Sequence, residues 1–392
     1  MDPRKNPYTP GAGTPPAELA GRDDVIERAK IALDRIRNGK AARGLVFYGL
    51  RGVGKTVLLN RLRLAAEEMD FATINIEAPE GRSLPGVLAP ALKMALIRLS
   101  RVPAFKSGLQ RAQDAFASFV KRMKIKYQDV EITFDDEDEN IGPGDLEVDL
   151  IELFETLGVL ARERKTGFLL AIDELQYVPE DQLAALISAF HQMSQKSLPV
   201  MLLAAGLPQL VGLAGRAKSY AERLFEFVEI DRLDTAAATI ALCNPAQQEG
   251  AEYAQAAVEE VLEQTHGYPY FLQEWGKHCW NTAPGSPISK RDAKAATELA
   301  LAELDASFFR VRFDRLTPME KNYLRAMAEI GPGPHRSGEV ARMMDKKVSD
   351  VAALRNSLIT KGMIYAPSHG DTGFTVPLFD EFMKRVMPRW VV

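Results

Sequence analysis

The stretch Leu45-Val46-Phe47-Tyr48-Gly49-Leu50-Arg51-Gly52-Val53-Gly54-Lys55-Thr56 constrains this chain more than any other. A short apolar run reads as a buried strand, G-x-x-x-x-G-K-T follows it, and an amphipathic helix begins at Val57-Leu58-Leu59. Strand, glycine-rich loop and helix in that order are the setting a phosphate-binding loop needs. Glycine lets the backbone turn tightly enough to aim its N–H groups at phosphate oxygens, and the positive end of the next helix adds a favourable field. Gly49, Leu50, Arg51, Gly52, Val53, Gly54, Lys55, Thr56 and Val57 are therefore the expected nucleotide cradle. Within it Lys55 is expected to meet the β- and γ-phosphates, and the Thr56 hydroxyl to hold Mg²⁺.

A second signature lies downstream, at Phe168-Leu169-Leu170-Ala171-Ile172-Asp173-Glu174. An apolar run that ends in two carboxylates is costly unless they meet a cation or water at the open end of a sheet. Asp173 would orient the Mg²⁺ shell, and Glu174 would polarise the water that attacks the γ-phosphate. Between the two signatures, Ala72-Thr73-Ile74-Asn75-Ile76 reads as a strand whose alternation puts Asn75 and Glu77 on one face near its end. Surface polarity accounts for either residue taken alone, and Asn75 is kept as a further catalytic candidate. Apolar runs at Val200–Ala205 and Phe227–Ile230 continue the alternation of strands and helices, which implies a mostly parallel sheet covered on both faces.

Composition sets the outer bounds. A chain of 392 residues, 46% hydrophobic and 26% charged, can hold two or three domains of ordinary type. Its net charge of −4 argues against a protein dominated by a nucleic-acid-binding surface, although a local basic face fits inside a near-neutral total. Cys243 and Cys279 stand far apart with no partners at metal spacing, so neither a disulfide framework nor a zinc site is expected. No apolar run approaches the roughly 18 residues that span a bilayer, and a reducing cytoplasm is the expected compartment.

Four regions organise the rest. Residues 1–22 are rich in Pro and Gly and read as an extended arm across the nucleotide site, with the base held near Gly21 and Arg22. The ATPase core is expected over 23–233, with a helical insertion at 80–165 broken by the acidic run Asp135-Asp136-Glu137-Asp138-Glu139-Asn140. That run reads as a solvated loop, balanced in part by Lys121, Arg122, Lys124 and Lys126. Residues 234–306 are wholly helical, and Gly267 and Pro269 bend the chain between two helices that could cover a bound base; this is the segment that the resemblance given below makes a lid. From 307 onward, Thr317-Pro318-Met319-Glu320 is a capping box with Pro at the first helical position. Two more helices follow, around Ser337–Met344 and Ser349–Lys361. Met363-Ile364-Tyr365 and Phe374-Thr375-Val376 then read as a hairpin, which completes a winged helix. Eleven basic residues stand against eight acidic ones from 317 onward. The third helix would show Ala353, Asn356 and Thr360 outward, flanked by Arg355 and Lys361, a face able to read DNA or to pack on another domain.

Together these pieces resemble the AAA+ and STAND-like ATPases of the bacterial and archaeal kind grouped with initiator, origin-recognition-like proteins. The resemblance rests on the phosphate loop and on Asp173-Glu174-Leu175-Gln176, Ala205-Gly206-Leu207-Pro208-Gln209-Leu210, Ala217-Lys218-Ser219-Tyr220-Ala221-Glu222-Arg223-Leu224-Phe225 and Gly267-Tyr268-Pro269-Tyr270-Phe271-Leu272. It implies an α/β fold with a five-stranded parallel sheet, a helical lid, and ATP with Mg²⁺. It also implies that Arg223 is an arginine finger offered to a neighbouring subunit, with Arg216 in reserve, and hence self-association through the ATPase core. Two departures stand out. Leu203, Ala204 and Ala205 leave the fourth strand without the polar residue that usually senses the γ-phosphate, and Gly267-Tyr268-Pro269 replaces a lid arginine. Both favour a slow switch over rapid turnover. The expected function is an ATP-binding and ATP-hydrolysing molecular switch that exchanges ATP for ADP. The alternative is an initiator, transposition or regulatory protein that binds duplex DNA, or a protein partner, through its winged helix.

Overall fold

The computed structural model describes residues 1–78, 81–100, 106–122, 145–368 and 370–389. The acidic run at 135–140, with Lys124 and Lys126, lies outside the described residues.

The first half of the chain builds α1 (Asp23–Arg37), β1 (Gly44–Tyr48), α2 (Lys55–Glu68), β2 (Ala72–Glu77), α3 (Leu84–Ser100), α4 (Lys106–Arg122) and α5 (Leu146–Glu163). Then come β3 (Phe168–Asp173), α6 (Glu180–Gln195), β4 (Val200–Gly206), α7 (Gln209–Ala217), α8 (Ala221–Leu224) and β5 (Phe225–Glu229). The five strands form one parallel sheet in the order β2-β3-β4-β1-β5. β3 and β4 are buried at every position, which is why they read as unbroken apolar runs. Side chains alternate between faces. Leu45, Phe47, Leu169, Ala171, Met201 and Leu203 pack against α1 and α2 on one side. Val46, Leu170, Ile172, Leu202 and Ala204 pack against α3 to α6 on the other. Each such Leu or Ile side chain contributes about 1.5–3 kcal/mol on burial, so the sheet is held from both faces. Parallel strands also bring every carboxyl end to one edge, where β1, β2 and β3 deliver the phosphate loop, Glu77 and the Asp173-Glu174 pair.

The second half contributes α9 (Thr235–Gln248), α10 (Gln255–Thr265), α11 (Pro269–Thr282) and α12 (Lys290–Ala306). It continues through α13 (Phe308–Asp314), α14 (Pro318–Ile330), β6 (His335–Arg336), α15 (Ser337–Met343), α16 (Val348–Thr360), β7 (Ile364–Tyr365), β8 (Asp371–Phe374) and α17 (Phe379–Val386). The capping box at Thr317 forms in full: the Thr317 hydroxyl accepts from the Glu320 N–H at 3.3 Å, and a Glu320 oxygen accepts from the Thr317 N–H at 2.7 Å. β6, β8 and β7 make a small antiparallel sheet against α14 to α16. The apolar core is continuous across residue 306, the boundary expected from the sequence. Phe309 on α13 packs on Phe271 of α11, and on Phe379 and Phe382 of α17 at ring distances of 5.8 and 5.2 Å. The amino-terminal arm joins the same core: Tyr8 is buried, and its hydroxyl donates to the Leu242 carbonyl of α9.

Among the described residues no helix is long and apolar enough to cross a membrane.

Candidate functional site

At the carboxyl edge of the sheet lies a cavity of about 510 Å³, within the range of pockets that hold small molecules. Its walls come from four directions: the arm at 9–20, the loop from Arg51 to Val57, the ends of β2 and β3 at Glu77, Asp173 and Glu174, and Pro269, Tyr270, Gln273, Phe308 and Arg312 of the second half. Gly52 and Gly54 sit at φ of 81° and 91°, the left-handed region where a side chain is strained, as the tight turn of this loop requires.

Lys55 is 7% exposed and donates to the carbonyls of Gly49 and Leu50 at 2.9 and 2.7 Å. Burial pushes its ammonium pKa down to about 8, against the opposing pull of Glu174 and Asp173. A buried ammonium whose charged form is disfavoured in this way gains from any anion brought beside it. The Thr56 hydroxyl donates to Asp173 at 2.6 Å, which brings two oxygens of the kind Mg²⁺ takes to a single point. Burial raises the Asp173 carboxyl above its usual range, although the Thr56 hydrogen bond opposes the shift. These residues fit a magnesium–triphosphate: the loop would supply donors, Lys55 the cation, and Thr56 with Asp173 the metal ligands.

Glu174 stands at φ 52°, a left-handed conformation for a residue with a side chain, which costs on the order of 1 kcal/mol or more. Both its oxygens are held. Arg51 Nη1 reaches one at 3.2 Å, and the Gln176 amide donates to the other. Gln176 in turn accepts from the Leu207 N–H at the end of β4 at 2.9 Å. β4 carries no polar side chain at that end, and Gln176, which follows β3, ties Glu174 to it. Arg51 also donates to the Tyr177 hydroxyl at 2.9 Å, and its own N–H donates to the Thr375 carbonyl beyond β8 at 2.9 Å. The phosphate loop is thus tied directly to the C-terminal unit.

Several expected residues sit elsewhere than the sequence suggested. Gly49 and Leu50 do not line the cavity. Gly49 is glycine because a Cβ there would fall on the Ile230 carbonyl, and Leu50 serves through its own carbonyl. Gly21 also stays outside, packed so closely on Leu233 and Ala237 that a Cβ would come within 2.8 Å of Ala237 Cβ. Its neighbour Arg22 does line the cavity and donates to the Val53 carbonyl at 3.2 Å. Asn75 is exposed on edge strand β2, level with Ala171, two residues short of the edge where Glu77 stands beside Asp173. Asn75 therefore misses the cavity and Glu77 joins it.

Arg223 is exposed just before β5, whose first residue pairs with Gly44 at the start of β1. Roughly 13 Å of strand separates that end of the sheet from the cavity, so Arg223 has no access to its own chain's site. Arg216 is also exposed and pairs with Glu180 at 3.4 Å. On α16 the face of Ala353, Asn356 and Thr360 is outward as periodicity requires, but its expected basic flanks turn inward. Arg355 donates to the Asp371 carbonyl at 3.2 Å, and Lys361 pairs with buried Glu320 at 2.7 Å. Sequence reasoning missed Tyr270, Gln273, Phe308 and Arg312 as cavity residues; the one visible signal was the aromatic and basic run Phe308-Phe309-Arg310-Val311-Arg312.

The five-stranded parallel sheet with its phosphate-loop sequence has the fold of a P-loop NTPase. Residues 18–203 match the AAA ATPase domain family. Residues 306–383 match a domain of unknown function, DUF8462. In structure the whole chain is similar to the Walker-type ATPase of Pyrococcus abyssi, with a TM-score of 0.59 at 17% identity over 93% of this chain and 96% of that one. The Orc1 protein of Aeropyrum pernix, solved in complex with DNA, aligns with a TM-score of 0.47 at 15% identity over 94% of each chain. In sequence, a stretch of 67 residues is 40% identical to ORC1-type DNA replication protein 2 of Haloarcula marismortui. That stretch spans 16% of this chain and 16% of that relative.

Proposed function

We propose that the protein is an ATP-driven molecular switch of the AAA+ or STAND kind: it binds ATP with Mg²⁺, hydrolyses it slowly, and changes conformation with the nucleotide. Lys55 and the loop N–H groups hold the phosphates, Thr56 and Asp173 hold the metal, and Glu174 orients the attacking water. The observation that carries the reading is the meeting of the phosphate loop with Asp173, hydroxyl to carboxylate at 2.6 Å, at the mouth of a cavity large enough for a nucleotide. Leu19, Ala20, Arg22, Leu233 and Ala241 of α9 also line the cavity and supply apolar surface for the base. Slow turnover is supported by the hold on Glu174: a carboxylate bound by Arg51 and Gln176 must be released before it can take a proton from water. Arg223, remote from its own cavity, acts on a neighbouring subunit in this reading, so assembly and hydrolysis are coupled.

The test is Glu174→Gln. It should bind ATP as the wild type does and lower single-turnover hydrolysis by about 10²–10³-fold. Unchanged hydrolysis would remove Glu174 from the chemistry.

A second reading, binding of duplex DNA by a winged helix, is supported by exposed Arg342 in the last turn of α15 and exposed Lys346 and Lys347 at the turn before α16. With Arg355 and Lys361 turned inward, this turn replaces the expected helix flanks as the basic face. Affinity that falls steeply with salt and is reduced by Lys346→Glu with Lys347→Glu would support it. The same affinity in the double variant would exclude that face.

A further inference from the structure

The cavity contains a cation that the nucleotide reading has not used. Arg312 projects from α13, the short helix that leads from the lid into the C-terminal unit, and lines the same cavity as Arg51 and Lys55. Its guanidinium lies 4.1 Å from the centre of the Phe308 ring and donates to the Phe308 carbonyl one turn back. Phe308 stacks on Tyr270 at 4.7 Å with 23° between the rings, and the Tyr270 N–H donates to the Gly52 carbonyl at 3.1 Å. A continuous set of contacts therefore runs from the phosphate loop through Tyr270 and Phe308 to Arg312, and fixes the guanidinium at the loop's end of the cavity.

The charges around Arg312 point the same way. The ionic neighbour that acts on it most is another cation, Arg51; the phenol of Tyr270, then Arg315 and the phenol of Tyr177, follow. Among the described residues no carboxylate pairs with it. Burial with like charges pushes its pKa down to about 10, still leaving it protonated at neutral pH. Arg51 has Glu174 to neutralise it at 3.2 Å. Arg312 has an aromatic face and the open cavity. A planar fork of donors held on a ring, short of an anion and facing a phosphate loop, is arranged to take up phosphate oxygens.

We infer that Arg312 is a phosphate-contacting residue that reaches the γ-phosphate of bound ATP, and that the C-terminal unit senses the triphosphate through it. This rests on the ATP-binding reading above. It supplies from α13 the cation that neither β4 nor the start of α11 carries. The same helix bears Phe309 and Phe313, which pack on Phe382 of α17 at 5.2 and 5.8 Å. Loss of the γ-phosphate removes an attraction on α13, and the packed aromatic rings pass that change to the C-terminal unit. The two nucleotide states thus differ in a named contact, as any nucleotide-dependent shift requires.

The experiment compares wild type, Arg312→Met and Arg312→Lys by equilibrium titration with ADP and with a non-hydrolysable ATP analogue, both with Mg²⁺. Methionine keeps an apolar side chain against Phe308 and removes the charge. The expected result for Arg312→Met is a loss of about 10–100-fold for the analogue and less than about threefold for ADP, with melting temperature unchanged. Arg312→Lys should recover part of the loss. Equal weakening of both nucleotides, or no weakening of the analogue, would overturn the inference. Lys55→Ala, which should lose both nucleotides, separates a failed sensor from a failed site. A wild type that binds neither nucleotide would overturn the ATP-binding reading and this inference with it.

Discussion

Lys55 makes nucleotide affinity depend on pH in a way that can be worked out in advance. Burial holds its pKa at about 8, whereas a triphosphate alongside would stabilise the ammonium and raise that value. ATP therefore binds the protonated form, and the affinity scales with the protonated fraction of the free protein. That fraction falls from about three-quarters at about pH 7.5 to roughly one-tenth at about pH 9, so ATP should bind about eightfold more weakly at the higher pH. The sign is fixed: affinity is at its full value well below pH 8 and is lost as the pH rises through it. Proton uptake follows the same curve, and nearly one proton should be taken up per ATP bound at about pH 9 against about a quarter at about pH 7.5. Calorimetric titration in buffers of different ionisation enthalpy reads both quantities at once. A flat affinity across that range, with no proton uptake, would refute the placement of Lys55 against the phosphates.

Two further expectations concern separate parts of the molecule. If Arg223 serves the neighbouring subunit, Arg223→Ala and Glu174→Gln are each inactive alone, yet mixing them in equal amounts forms intact sites at about a quarter of interfaces and should restore about that share of the rate. No recovery on mixing would place Arg223 outside the chemistry. Burial would raise the Glu320 carboxyl, but hydrogen bonds from Lys361, Ser357 and Thr317 outweigh it and hold the pKa at about 2. Its contribution is present above the unfolded value and lost as the pH falls from about 4.5 toward 2, on the order of 2 kcal/mol after allowance for solvent screening. Urea melts of Glu320→Gln should show less acid destabilisation over that window than the wild type, and parallel curves would contradict the pairing.

The parts of this fold that could be read in the sequence are those set by local spacing. Phosphate-loop geometry is written in glycines at fixed positions, buried strands in unbroken apolar runs, and the start of α14 in Thr317, Pro318 and Glu320 within four consecutive residues. Helical periodicity also placed Ala353, Asn356 and Thr360 outward. It misplaced Arg355 and Lys361, because a long side chain follows partners on other elements: the Asp371 carbonyl of β8 and the Glu320 carboxylate of α14. Asn75 failed for a simpler reason, since strand alternation gives its face but not its height along the sheet. The second half of the cavity wall stayed hidden because Tyr270, Phe308 and Arg312 meet the loop only through tertiary packing. The same holds for the Gln176 contact that ties Glu174 to the end of β4.

The most direct measurement is equilibrium titration of the wild-type chain and of Lys55→Ala with ATP and Mg²⁺. A triphosphate lodged between Lys55 and the Thr56–Asp173 pair requires saturable binding to the wild type and a loss of at least about 100-fold in the variant, from removing a buried charge-assisted contact. Equal affinity in the two proteins would contradict it.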